Sequence, residues 1–192
     1  MEQSDFRRRS HGEMNGKGFA MADAQETGRT IFVAGLRNAH AVENQALALM
    51  KRQVERIENY PLVADRLRLH IEETNGQIQR LDDILKSLGE DNSTLKDAGL
   101  SLLGNIAAMT HAVAQDEILK NSFANFAFEN FEIAAYKSLM QVAELTGHAS
   151  AVPLLQQTLQ EEMEMARWLD SNLSAVTATY LEREQRGVKA GI

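Results

Sequence analysis

The sequence predicts an all-α protein, a bundle of four long helices whose connections are short, long and short. In four segments the apolar residues recur at the alternating three- and four-residue spacing of one helix face. No segment shows the period-two alternation of a strand, and neither a glycine-rich phosphate loop nor βαβ spacing is present. These patterns exclude Rossmann, P-loop and barrel folds and favour a four-helix bundle with one crossover.

The first two helices form a predicted hairpin. The apolar stripe of the first helix begins near Thr30 and ends just before Pro61. Pro61 suits the first turn of the second helix, because that position needs no backbone N–H. Gly89 suits its end, since glycine readily adopts the left-handed conformation of a helix C-cap.

The second hairpin follows a long connection. Residues 95–114 carry a weaker stripe, which predicts an additional short helix in the crossover between the second and third long helices. The next stripe starts near Ile118 and ends at Gly147, a second glycine suited to a C-cap. The last helix is predicted from about Ser150 to Glu184.

We expect one domain with two disordered ends. Residues 1–30 contain four glycines, balanced charges and no sustained apolar period, a composition typical of a disordered tail. The bundle is predicted for residues 31–185. Residues 186–192 are predicted to be a disordered C-terminal end.

Composition restricts the chemistry. The 192 residues include 20 Lys and Arg, 27 Asp and Glu and no Cys, which gives a net charge of −7 and a pI near 5.3. The lack of Cys excludes disulfides, thiolate nucleophiles and zinc fingers, and leaves oxygen and imidazole as metal ligands. The acidic balance argues against nucleic-acid binding. No window reaches the roughly 18 to 20 apolar residues of a bilayer-spanning helix, so we expect a cytoplasmic protein.

Four glutamates lie on the apolar stripes, where the helical period calls for Leu or Ile. They are mid-helix residues, and Lys and Arg are scarce on the same stripes. A buried ionised carboxylate costs several kcal/mol unless it is protonated, paired or bound to metal. A metal site is therefore the predicted role of Glu43, Glu129, Glu132 and Glu162.

The acids repeat between the two hairpins. Glu43 and Glu73 are 30 residues apart, as are Glu132 and Glu162, so the second hairpin repeats the first at an offset of 89 residues. Two hairpins with acids at equivalent heights place four carboxylates in one layer at the bundle centre. Such a layer can bridge two divalent ions. Acids that snorkel to solvent are the alternative for each position.

Polar neighbours on the second helix extend the candidate site. His70 can ligate a transition metal or form a hydrogen bond within the core, and the same alternatives apply to His40. Gln77 can ligate weakly through its amide oxygen or donate a hydrogen bond to a ligand. Tyr136, one turn after Glu132, is either a donor to the site or a packing residue.

The motifs resemble a known family. Segments 36–43 (LRNAHAVE), 70–74 (HIEET), 129–136 (ENFEIAAY) and 158–162 (TLQEE) resemble the YciE/YciF-like family of ferritin-like, rubrerythrin-related stress proteins. The resemblance spans about residues 31–173. It implies a ferritin-like four-helix bundle, commonly a homodimer, with a dinuclear carboxylate site.

The resemblance also implies roles for the acids. Glu43 and Glu132 match single carboxylates of the first and third helices, and Glu129 matches the extra acid of rubrerythrin-like sites. Glu73 and Glu162 match bridging carboxylates. The Glu-x-x-His pattern of ferritin-like sites is absent, since Gly76 and Met165 stand at the histidine positions and Ala166 replaces a further acid. Occupancy by two ions, one or none is therefore compatible with the sequence.

Two functions follow from this pattern. The first is a dinuclear Fe or Mn protein that acts on oxygen or peroxide as a peroxidase, catalase or ferroxidase, because hard carboxylate oxygens suit these metals. The second is a metal-free or metal-degenerate scaffold bundle, which the missing histidines favour. A weaker third is a partner-binding bundle that docks through its Phe-rich third helix.

Overall fold

The computed structural model describes residues 3–90 and 115–192, with side chains from residue 23 onward. Within these ranges the chain forms four helices and no strand, which confirms the predicted all-α bundle. None of these helices is long and apolar enough to span a bilayer. The short helix predicted in 95–114 lies outside the described residues. The helices are α1 (Gln3–Arg56), α2 (Pro61–Ser87), α3 (Glu117–Leu145) and α4 (Val152–Gln185), the last preceded by a 3-10 turn at Ala149–Ala151.

Every neighbouring pair of helices in the bundle is antiparallel. Helix α1 packs against α2 and α3, and α4 packs against α3 and α2. The end of α1 meets the start of α3 through Arg56 and Glu117, whose side chains form two hydrogen bonds of 2.8 and 2.7 Å. Helix α2 ends at the opposite end of the bundle, where Arg29 contacts the Leu88 carbonyl. This order of helices requires the predicted long crossover between α2 and α3.

The predicted helix stops are confirmed at two glycines. Gly89 has φ 74° and Gly147 has φ 82°, a conformation that is costly for residues with a Cβ. After α2, the Glu90 N–H donates to the Leu85 carbonyl at 3.0 Å, the hydrogen bond that closes a Schellman motif. His148 makes the equivalent bond after α3, at 2.8 Å.

Both ends of the chain differ from the sequence prediction. Helix α1 begins at Gln3 rather than near Thr30, and Gly28 is buried against Thr146, the residue that follows α3. At the other terminus, the carbonyl of Gly191 accepts a 2.7 Å hydrogen bond from the Ile118 N–H. Helices begin with N–H groups that lack an intrahelical partner, so the C-terminal residues satisfy one of them. The Gly28 contact and the hydrogen bond of Gly191 each join residues that are distant in sequence, and a helical period does not record such contacts.

A polar layer divides the core into two apolar clusters. One cluster lies toward the Gly89 end and the other toward the Pro61 end. Burial of each large apolar side chain contributes about 1.5–3 kcal/mol, so the clusters stabilise the fold on either side of the polar layer. We define the central polar layer as Glu43, His70, Gln77, Glu129, Glu132 and Glu162, all of which are buried.

A second buried polar contact sets the alignment of α1 with α3. The Gln53 amide donates to Asn125 Oδ1 at 3.0 Å, and the Asn125 amide donates to Gln53 Oε1 at 2.8 Å. Both side chains are 4% exposed. Because a slip of either helix would leave both amides without partners, the pair specifies the register of the two helices.

Candidate metal centre

Four carboxyl side chains from three helices meet in the central polar layer. Glu43 belongs to α1, Glu129 and Glu132 to α3, and Glu162 to α4, and none is more than 4% exposed. The helical period therefore places all four inward, as the sequence predicts. Glu72, on α2, is exposed, as its position off the stripe predicts.

His70 supplies the imidazole of the layer. Its Nε2 lies 3.2 Å from Glu129 Oε2 and 3.6 Å from Glu162 Oε2. One potential ligand atom from each of these three residues lies within 4.8 Å of the others, a spacing that one metal ion can satisfy. The structure thus brings together a nitrogen and two carboxylate donors, a set that suits Fe and Mn.

Glu73 lies behind His70 rather than between the other acids. Its Oε2 contacts His70 Nδ1 at 2.7 Å and Arg66 Nη1 at 3.0 Å, and its side chain is 19% exposed. A carboxylate on Nδ1 makes that atom the donor, which leaves Nε2 free to ligate. Glu73, which the resemblance implies is a bridging ligand, instead orients His70.

Gln77 contacts the layer as a hydrogen-bond donor. Its Nε2 donates to Glu162 Oε1 and, at 3.1 Å, to Glu161 Oε2. Glu161 also forms an ion pair with Arg80, which donates in turn to Thr158 Oγ1 at 3.0 Å. The Gln77 amide therefore links the buried Glu162 to Glu161 and Arg80, which lie nearer the surface. Of the two roles that the sequence left open for Gln77, the structure shows the hydrogen-bond donor.

Glu43 and Glu132 form the side of the layer that faces the α1–α3 seam. Tyr136 donates its hydroxyl to Glu43 Oε1 at 2.5 Å, which gives this tyrosine the donor role weighed from the sequence. Glu132 Oε1 is buried and accepts no hydrogen bond from the described residues. A half-open groove between α1 and α3 reaches both acids.

The pKa values in the layer reflect several acids crowded together in a buried position. Burial raises the pKa of Glu43 and Glu132 well above the ordinary value, and the charge of Glu162 raises it further. Burial is also the main reason that the pKa of Glu129 reaches about 8. Burial alone lowers the pKa of His70, but the surrounding carboxylates outweigh it and raise that pKa well above its usual value.

The positions that lack the expected ligands serve packing instead. Met165 is fully buried in the apolar cluster toward Pro61, and Ala166 is also buried. Among the described residues, a Cβ added to Gly76 would meet only Arg80, at 3.5 Å. His40 lies outside the layer, where its Nε2 pairs with Asp82 at 3.1 Å. Among the described residues, His70 is thus the imidazole placed to ligate.

The sequence reasoning missed the two arginines behind the site. Arg66 supports Glu73, and Arg80 supports Glu161. Arg66 precedes Glu73 by seven residues, about two helical turns, and this spacing could have predicted that the two side chains lie on the same face of α2. Arg80 pairs with a residue of another helix, and its own helix contains no pattern that predicts the contact.

The fold and the central layer define the class of protein as a ferritin-like four-helix bundle. The bundle superposes on the X-ray structure of Dps from Thermosynechococcus elongatus with a TM-score of 0.62 and 14% identity, over 78% of this chain and 94% of that chain. The crystal structure of the Escherichia coli stress protein YciF gives a TM-score of 0.66 and 24% identity, over 76% and 94% of the two chains. At these identities the likeness concerns the fold.

The chain belongs to the family described as a domain of unknown function, DUF892, which matches residues 27–182. It is 29% identical over 140 residues to protein YciF of E. coli K12, covering 69% of this chain and 81% of that protein. A crystal structure from Xanthomonas campestris pv. campestris is 32% identical with a TM-score of 0.70, over 82% and 99% of the chains. The resemblance to the YciE/YciF-like family is confirmed.

Proposed function

We propose that the chain is a carboxylate-bridged Fe or Mn protein, associated with stress, that acts on oxygen or peroxide. His70, Glu129 and Glu162 would hold one ion, and Glu43 and Glu132 would be the further carboxylates of the layer available to a second ion. The membership of a ferritin-like family and the E. coli relative described as a stress protein support the proposal.

The observation that carries the proposal is a set of buried carboxylate oxygens without hydrogen-bond donors. Glu129 Oε2, Glu132 Oε1 and Glu162 Oε2 are buried and accept no hydrogen bond among the described residues. Glu129 Oε2 lies 3.2 Å from His70 Nε2, so a charged His70 offsets part of the charge of this carboxylate. Four carboxyls face one imidazole in the layer, so its cationic charge is insufficient to balance them if all ionise. A divalent ion held by His70, Glu129 and Glu162 would coordinate two of these three carboxylates and offset part of the negative charge of the layer.

The residues around the layer have separate tasks in this proposal. The bound metal supplies redox and Lewis-acid chemistry to the oxidant. Glu73 holds His70 in one orientation, Gln77 holds Glu162, and Tyr136 holds Glu43. The apolar clusters on either side exclude water, which strengthens each of these polar contacts.

A metal-free scaffold bundle is the second candidate. The observation that favours it is the position of Glu73, which is paired with Arg66 and His70 instead of lying among the other acids. With protonated acids and a charged His70, the layer would be a hydrogen-bonded core without metal.

Metal content per chain separates the two candidates. Untagged protein from cells grown with added Fe and Mn is expected to contain about one to two ions per chain by elemental mass spectrometry. Glu162→Gln removes a central ligand and should lose the metal, whereas Glu164→Gln, an exposed acid on the same helix, should retain it. The metal proposal fails if wild-type protein contains less than about 0.1 ion per chain and added metal leaves its melting temperature unchanged.

Three finer parts of the proposal need separate measurements. Peroxide consumption that scales with metal content would establish the oxidant. Sedimentation at micromolar concentration would test the homodimer, and fractionation of cells would test the cytoplasmic location.

A further inference from the structure

The two hairpins of the bundle correspond to each other in sequence and in packing. The offset of 89 residues pairs α1 with α3 and α2 with α4, so that Glu43 corresponds to Glu132, and both acids are buried in the central polar layer. Exchanging the hairpins leaves the packing pattern unchanged, because α1 packs against α2 and α3 while α4 packs against α3 and α2. Each residue of the layer therefore has a counterpart in the other hairpin.

The three-ligand position formed by His70, Glu129 and Glu162 also has such a counterpart. The offset of 89 residues gives its members, in the same order, as Leu159, His40 and Glu73. If both hairpins carried the same ligands, these three residues would hold a second ion. The family resemblance implies two ions, so the state of this second position decides how the centre fills.

None of the three counterparts is placed to bind a second ion. Leu159 has no ligating atom and is buried in an apolar cluster. His40 lies outside the layer, where its Nε2 contacts Asp82 Oδ1 at 3.1 Å. Glu73 is held at the edge by Arg66, at 3.0 Å. One of the two corresponding positions is thus complete, and the other lacks all three ligands.

The remaining acids of the layer do not replace the missing ligands. Glu43 Oε1 accepts the Tyr136 hydroxyl at 2.5 Å. Among the described residues, no set of three potential ligand atoms within 4.8 Å of one another includes Glu43 or Glu132. An ion bound by these two carboxyl groups would lack the nitrogen and the third protein donor of the first position, so we expect its binding to be weaker.

We propose that the central polar layer fills in a fixed order, with one ion at His70, Glu129 and Glu162 and any second ion bound at least about 100-fold more weakly. The inference rests on the proposed function for the metal itself and adds the order of filling. Because the hairpins correspond in packing, the inequality arises from the side chains at the counterpart position.

Stepwise addition of Mn²⁺ to the metal-free, full-length protein tests the order. Equilibrium dialysis with elemental mass spectrometry measures the bound Mn²⁺, and electron paramagnetic resonance reports its surroundings. We expect one site per chain to saturate first, with the hyperfine pattern of an isolated Mn²⁺ ion. Two positions of similar affinity would instead give spin-coupled pairs from the first additions, because ions that share a carboxylate-bridged site lie about 3.5–4 Å apart.

Glu129 and its counterpart His40 provide a matched pair of variants. Glu129→Gln removes a ligand of the complete position and should weaken binding of the first Mn²⁺ ion at least about 100-fold. His40→Gln makes the corresponding change in the other hairpin and should keep the first affinity within about threefold of wild type. The titration of wild-type protein decides the order of filling by itself if either variant fails to fold.

The outcomes separate this inference from the proposed function. Two ions of similar affinity, or spin-coupled pairs at less than one Mn²⁺ per chain, would overturn the order of filling and leave the metal proposal standing. Unchanged binding in Glu129→Gln, or loss of the first ion in His40→Gln, would overturn the assignment of the first position. Less than about 0.1 ion per chain at saturating Mn²⁺ would overturn both proposals.

Discussion

Glu73 Oε2 lies 2.7 Å from His70 Nδ1, and this contact orients the one imidazole of the central polar layer. Arg66 holds the same carboxylate from the other side at 3.0 Å. The hydrogen bonds and the positive charges lower the pKa of Glu73, although its partial burial acts in the opposite direction. Glu73 therefore remains an anion and keeps the proton of His70 on Nδ1, with Nε2 facing Glu129 and Glu162.

The first prediction concerns this positioning role. Glu73→Gln should weaken metal binding about 10- to 100-fold, the usual effect of removing a carboxylate behind a ligating histidine. His70→Ala should weaken it further, because the donor itself is lost. A competition isotherm with Mn²⁺ measures both effects. Glu72→Gln is the matched control, since Glu72 is adjacent and exposed, and equal affinities of all variants would disprove the role.

The second prediction uses two helical glycines with different surroundings. A Cβ at Gly28 would lie 2.8 Å from Thr146 Cγ2, whereas a Cβ at Gly76 would have only Arg80 Nη1 nearby in the described part of the chain, at 3.5 Å. Gly76→Ala should therefore stabilise the protein by about 0.5–1 kcal/mol through helix propensity. Gly28→Ala should destabilise it by about 1–3 kcal/mol, because α1 and α3 must separate. Urea unfolding measures both; a gain in stability for Gly28→Ala would contradict the packing.

The third prediction concerns pH and the metal-free protein. The pKa of Glu129 is raised from 4.5 to about 8, so the folded state binds more protons than the unfolded state across that window. Its contribution to stability is complete below pH 4.5 and is lost as pH rises through about 8. The pKa of His70 is also raised in the folded protein, so His70 likewise makes the protein less stable as pH rises above the ordinary pKa of histidine.

The melting temperature of metal-free protein should thus fall by roughly 5 °C or more between pH 5 and pH 8.5. Glu129→Gln should flatten this profile, since a glutamine does not titrate. Saturating Mn²⁺ should reverse the fall, because the ion binds the deprotonated acids. Differential scanning calorimetry gives all three curves, and a melting temperature that rises over this range would contradict the sign.

The fourth prediction isolates the amide pair between α1 and α3. Gln53→Leu leaves the Asn125 amide buried without its partner and should cost about 1–3 kcal/mol. The double variant with Asn125→Leu should cost less than the sum of the two single changes, since neither amide remains unpaired. Gln79→Leu is the control: its hydrogen bond to Asp83 is exposed, and its loss should change stability by less than about 0.5 kcal/mol. Additive single effects would show that the pair is not coupled.

The sequence by itself determined the helices and the inward acids. Periodicity located the four helices, and Gly89 and Gly147 located two of their ends, because left-handed caps depend on local backbone preference. The burial of Glu43, Glu129, Glu132 and Glu162 followed from the same period, and the resemblance of four short motifs indicated the family to which the chain belongs. These features depend on residues that are close in sequence.

Only the tertiary structure decided how the second helix contributes to the layer. Each residue turns a helix by about 100°, so His70 and Glu73 flank the same face and sequence alone does not show which one points inward. The Arg66 contact holds Glu73 at the edge, and contacts with Glu129 and Glu162 hold His70 at the centre. Likewise the groove between α1 and α3 depends on how two distant helices pack, which no local pattern records.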